Sequence, residues 1–202
     1  MNIWVEFWYS AFYECRGLTS IEIPSSVTSI GNGAFKGCAQ LRSINVEENN
    51  QSYCSEDGIL FNKDKTELIQ YPQRKGGTQY IIPSSVTSIG SNAFYWCDSL
   101  TSIEVPNGVM SIENGAFYCC RGLTSIKIPK GVTSIGNSTF FYCTGLANIE
   151  ITSNITRVEQ YAFYGCGKLT EINYHGTEEQ FKAITIGSYN DYFKNATVNY
   201  IE

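Results

Sequence analysis

Residues 100–122 read LTSIEVPNGVMSIENGAFYCCRG, and residues 123–145 read LTSIKIPKGVTSIGNSTFFYCTG. The two stretches align without a gap at a spacing of 23 residues, and the pattern extends both ways. Residues 18–40 are LTSIEIPSSVTSIGNGAFKGCAQ. Residues 77–99 are GTQYIIPSSVTSIGSNAFYWCDS, with Gly77 in place of the leading Leu. Residues 146–168 are LANIEITSNITRVEQYAFYGCGK, with Thr152 in place of the usual Pro. A fixed period of this length is the signature of stacked supersecondary units.

Each unit has its own logic. Ile21 and Ile23 alternate with Ser20 and Glu22, so the isoleucines face one side of a short strand and the polar residues the other. Pro24, which cannot donate to a ladder, ends that strand. Val27 and Ile30 then point inward again, and Asn32, Asn114 and Asn137 are placed to N-cap a single helical or 3-10 turn. Ala34, Phe35 and Cys38 share one face of that turn. No isolated unit can bury this apolar set, whereas stacked neighbours make one continuous core. The expected fold class is therefore an α/β solenoid over residues 1–202. It is a right-handed coil with one short parallel strand per repeat and short helical or 3-10 turns.

Two segments depart from the period. Residues 41–76 carry extra material, including DGILFNKDKTELIQYP at 57–72, which reads as a β-hairpin around Asn62-Lys63-Asp64-Lys65. Residues 1–17 read as a degenerate half-repeat, with Trp4, Phe7, Ala11, Phe12 and Cys15 on the phases of Val27, Ile30, Ala34, Phe35 and Cys38. Repeats fill 18–168, and 169–202 reads as a C-terminal closure with a helix opening at Glu178-Glu179. An apolar first rung holding Trp4, Trp8 and Tyr9 predicts self-association through the N-terminal end.

The consensus L-x-x-I-x-I-P-x-x-V-x-x-I-G-x-x-A-F-x-x-C resembles the BspA-like class of leucine-rich repeats, over nearly the whole chain. The insertion and the tail GTEEQFKAITIGSYNDYFKNATVNY at 176–200 are similar to segments of that class. The resemblance implies a surface protein that acts in adhesion or binds host or matrix proteins. It brings no shared catalytic residues.

Composition narrows the alternatives. Hydrophobic residues make up 43% and charged residues 16%, so a packed core is expected rather than disorder. The net charge of −5 argues against nucleic acid and against a polybasic membrane patch. No apolar run is long enough to insert in a membrane. MNIWVEFWYSAFYEC lacks the basic start and cleavage site of a signal peptide. That absence, with the mid-repeat start, favours the alternative reading of an intracellular or structural scaffolding repeat, a fragment of a longer array.

Of the eight cysteines, Cys15, Cys38, Cys97, Cys120, Cys143 and Cys166 share one phase, which predicts an interior column of free thiols packed as small hydrophobes. Cys54 and Cys119 lie off the column and are expected to be the exposed, reactive ones. The C-x₂₋₄-C spacing of a zinc site is missing, so no metal is expected, and no cofactor. His175 is the only histidine, and nothing in the sequence sets an acid beside it. With no phosphate-binding glycine motif either, no catalytic residues are assigned and the chain does not read as an enzyme. Four N-x-[ST] sequons occur, at Asn50, Asn137, Asn154 and Asn195.

Two columns remain as candidate binding surfaces. Outward strand positions give Ser20, Ser43, Gln79, Ser102, Ser125, Asn148 and Glu171 in one line, and Glu22, Asn45, Ile81, Glu104, Lys127, Glu150 and Asn173 in the next. Solenoids commonly bind partners on such a face. The second column is aromatic: Tyr13, Tyr95, Tyr118, Phe141 and Tyr164, with Trp96 and Tyr142 beside it. It reads either as a ridge for contact or, preferably, as rings stacked rung on rung over the edge of the core. The resulting expectation is a non-catalytic adhesion or interaction module, cell-surface or secreted, with a protein or glycan ligand.

Overall fold

The computed structural model describes residues 5–7 and 11–201. Trp4, Trp8 and Tyr9, on which the expected self-association rests, lie outside them. The chain runs through β1 (Val5–Phe7), β2 (Ser20–Ile23), β3 (Val27–Ile30) and β4 (Ser43–Val46) before the insertion. The insertion holds β5 (Tyr53–Glu56), β6 (Ile59–Asn62) and β7 (Glu67–Gln70). Each later rung then contributes two strands. These are β8 (Gln79–Ile81) with β9 (Ser88–Ile89), and β10 (Ser102–Glu104) with β11 (Ser111–Ile112). There follow β12 (Ser125–Lys127) with β13 (Ser134–Ile135), and β14 (Asn148–Thr152) with β15 (Arg157–Val158). The closure is β16 (Glu171–His175), α1 (Glu178–Lys182), β17 (Thr185–Ile186), α2 (Asp191–Asn195) and β18 (Thr197–Ile201).

First strands stack in parallel in the order β18-β16-β14-β12-β10-β8, and β2 pairs with β4 separately. Second strands stack on another side of the coil, again in parallel: β11 on β9, and β13-β15-β17. The turn between the two strands forms as the prolines foretell, with Val109 N–H bonded to Pro106 C=O and Val132 N–H to Pro129 C=O. Thr152 does the same for Ile155, so the missing proline costs no hydrogen bond.

Two expectations fail. Among the described residues the repeats contain no helix; α1 and α2 belong to the closure. Where a helical turn was expected, a left-handed residue interrupts every fourth position: Asn92 and Trp96, Gly115 and Cys119, Ser138 and Tyr142, Tyr161 and Gly165. A residue with positive φ cannot continue a right-handed helix, so the segment is a chain of separate turns. The architecture is a parallel β-solenoid rather than an α/β one. Nor are the asparagines N-caps: Asn114 Oδ1 accepts the N–H of Asn137, 2.8 Å away on the next rung.

The insertion is also larger than one hairpin. β6 and β7 pair antiparallel, but β5 pairs antiparallel with β6 as well, giving a three-stranded meander whose last strand joins β9 in parallel. β6 divides the interior. Ile59 and Phe61 belong to the large core that runs from Leu68 to Phe193, whereas Leu60 belongs to a smaller one with Ile23, Phe35, Leu41 and Ile44.

Stacked rings form the spine of the large core. Centroids of Phe94, Phe117, Phe140 and Phe163 follow one another at 5.2, 5.3 and 5.3 Å, with Tyr71 at one end and Phe193 of α2 at the other. The thiol column runs beside it, and each sulfur donates to a carbonyl of the preceding rung. Cys120, Cys143 and Cys166 Sγ lie 3.0 Å from the carbonyl oxygens of Phe94, Phe117 and Phe140. Burial pushes the Cys166 thiol up to about 12 and raises Cys97 and Cys143 well above the ordinary value. Cys15, expected in this column, is exposed. Cys119 is the opposite case: expected outside, it is buried, and burial raises its thiol too.

Candidate functional site

The strand face is set by the register. Gln79, Ser102, Ser125, Asn148 and Glu171 pair one to the next across β8, β10, β12, β14 and β16, and Thr197 of β18 continues the line. Ile81 pairs with Glu104, and Lys127 with Glu150 and then Asn173. Gln79, Ile81, Ser102, Glu104, Ser125 and Lys127 are exposed, while Asn148 and Glu150 are half-buried.

The columns are not continuous, however. Ser20, Glu22, Ser43 and Asn45 sit on β2 and β4, a separate panel. The meander enters beside it: Ile44 N–H bonds to Gly58 C=O at 2.8 Å, and Val46 N–H to Ser55 Oγ at 3.0 Å. The larger panel holds a local irregularity. Between β10 and β12 only Ser102 and Ser125 pair, whereas neighbouring strands pair over three to five residues. A shallow hollow of ≈ 490 Å³ opens at that point, lined by Ser102, Glu104, Asn107, Ser125 and Lys127.

Next to the hollow lies a charged group that the sequence did not disclose. Glu150 Oε1 accepts from Lys127 Nζ at 2.7 Å and meets His175 Nε2 at 2.6 Å. Burial works against the carboxylate, but the Lys127 and His175 hydrogen bonds outweigh it and hold Glu150 below its ordinary value. An acid therefore does stand beside the sole histidine. Among the described residues no hydroxyl or thiol is hydrogen-bonded to His175. No three His, Cys, Asp or Glu residues among those described are grouped to hold a metal, and no described helix is long and apolar enough to cross a membrane.

The aromatic column stacks rung on rung: Tyr95 on Tyr118 at 5.1 Å, Tyr118 on Phe141 at 4.7 Å, and Phe141 on Tyr164 at 5.2 Å. Tyr142 stands edge-on to Tyr164, and both are exposed. Trp96 is half-buried beneath the Arg121 guanidinium, 4.8 Å from its ring. Burial lifts the Tyr95 hydroxyl to about 12. Of the sequons, Asn50 is buried, its side chain bonded to the Pro24 and Val27 carbonyls, and cannot be modified in the folded chain.

The family described as "BspA type Leucine rich repeat region" matches residues 6–75 and 70–196, in 6 copies. Among solved structures, a leucine-rich repeat protein from Eubacterium ventriosum is 26% identical, with a TM-score of 0.70 over 91% of this chain and 60% of that one. A leucine rich cell surface protein from Faecalibacterium prausnitzii is 32% identical, with a TM-score of 0.61 over 83% of this chain and 51% of that one. The pneumococcal vaccine antigen PcpA shares the fold at 20% identity, with a TM-score of 0.60 over 92% of this chain and 56% of that one. The chain thus spans roughly half to three fifths of the proteins it resembles. No curated protein matches it. With the repeat, the parallel stacking and the family match in agreement, the chain belongs to the BspA-type leucine-rich-repeat family.

Proposed function

We propose that the chain is a non-catalytic binding module of a bacterial cell-surface or secreted protein, engaging a protein or glycan ligand through the exposed face of β8 to β16. The observation that carries this reading is the hollow between β10 and β12, where the ladder relaxes and leaves Ser102, Glu104, Ser125 and Lys127 open to a partner. Its polar lining suits hydrogen-bonded contact, and repetition of similar side chains on each rung suits a long ligand held at many weak points. Family membership and the cell-surface protein from Faecalibacterium prausnitzii support the location.

Immobilised matrix proteins and a glycan array, probed with this chain, test the proposal. Binding should appear by about 100 µM and fall at least tenfold in a Glu104→Lys, Ser125→Arg double variant. Absence of any ligand at that concentration, or equal binding by the double variant, overturns it.

A further inference from the structure

The insertion creates a second recess, away from the strand face. It is a cleft of ≈ 350 Å³ between the turn at Asn32 and the start of β7, with Tyr53 and Asn62 of the meander also in its wall. It exists because the backbone ladder fails there. β3 pairs with β1 on one side, but its other edge pairs with no strand among the described residues, and the Ile30 N–H donates to Tyr53 Oη at 2.8 Å.

The polar groups in the cleft are unequally committed. Asn62 is spent: its Oδ1 accepts the N–H groups of Thr66 and Glu67, and its Nδ2 donates to Thr66 Oγ1. Gln70 is only 4% exposed, and its Nε2 is held by the Tyr71 and Ala93 carbonyls. Its Oε1 accepts no hydrogen bond from any described residue. Glu67 is the only charged side chain among the residues lining the cleft, and no described cation pairs with its carboxylate. It is half-buried, and both its burial and the nearby Glu113 raise its pKa. A carboxylate so placed carries an unmet electrostatic cost that a cation would relieve.

We propose that this cleft receives a primary ammonium group, the side chain of a lysine presented by a partner protein, with Glu67 as counter-ion and Gln70 Oε1 and Tyr53 Oη as further acceptors. The three donors of an ammonium group match three acceptors, and the long apolar stem of lysine fits beside Ile30 and Ile69 in the same wall. This site is independent of the strand face, so either can fail alone.

Nuclear magnetic resonance titration of the whole chain with Nα-acetyl-lysine amide tests it directly. Amide shifts should move at Tyr53, Glu67, Gln70 and Gly90 at millimolar ligand, and Glu67→Gln should weaken the effect by about tenfold or more. Nε-acetylation of the ligand, which removes the charge, should abolish it on the unaltered protein, so the test does not depend on how the variant folds. Glu179→Gln, in α1 of the C-terminal closure, should change nothing. Equal binding of the acetylated ligand, undiminished binding by Glu67→Gln, no shifts at all, or the same shifts produced by a neutral methyl glycoside would each overturn the assignment.

Discussion

Trp96, Cys119, Ser138, Tyr142 and Tyr161 all hold a left-handed backbone, φ 52–60°. The conformation costs an L-residue about 1–2 kcal/mol, and it recurs here because the coil turns its corner at those points. At Gly115 the same place in the rung is filled by a residue that pays nothing. There an added Cβ would also lie 2.8 Å from Asn92 Oδ1. Gly115→Ala should therefore lower the stability by about 1–2 kcal/mol in thermal or urea unfolding. An unchanged midpoint would mean that the corner yields. This geometry was poorly legible in the sequence, because bulky residues occupy positions where glycine would have announced the turn. The expected helical turn was the consequence: Ala34, Phe35 and Cys38 do face inward, but through a run of tight turns.

At the level of elements, the insertion and the C-terminal closure are each tied to the repeats by a buried asparagine. Asn190, ahead of α2, accepts the Phe163 N–H at 2.9 Å and donates to the Glu159 and Gly187 carbonyls at 2.8 and 3.0 Å. Asn50 performs the matching role at the insertion, bonding Pro24 and Val27 on one rung and Ser52 and Tyr53 on its own. Asn190→Ala would orphan the buried Phe163 N–H and remove two donors to part-buried carbonyls, so a loss of about 1–3 kcal/mol is expected from chemical denaturation. A loss below about 0.5 kcal/mol would show that water replaces the side chain. Sequence reading registered Asn50 only as a sequon and passed over Asn190, since a cap is defined by what lies 23 or more residues away. α1 was easier: Thr177 and Gln180 make the capping box that the acidic start suggests. β5 was missed because Tyr53-Cys54-Ser55-Glu56 shows no apolar alternation.

Over the whole molecule, β6 splits the interior in two, and among the described residues the smaller part has far fewer buried side chains. Native-state hydrogen exchange should show amides of Ile23, Leu41 and Ile44 opening at a free energy about 2 kcal/mol or more below those of Phe94, Phe117 and Phe140. Uniform protection along the coil would contradict that division. The strand columns were legible because stacking at a fixed period converts sequence spacing directly into neighbourhood. The Glu150–His175 contact was not, because it runs diagonally, one rung on and two residues along, outside any single column. The Glu67 cleft was equally hidden, since it arises where the period fails. The thiol column has a consequence for a chain of this kind placed in an oxidising medium. Unfolded, eight sulfurs are free to cross-link at random; once coiled, Cys38, Cys97, Cys120, Cys143 and Cys166 are locked in as neutral donors that resist conversion to thiolate. In an oxidising medium, coiling would protect these five thiols only if it preceded oxidation, and it would leave Cys15 open to reaction.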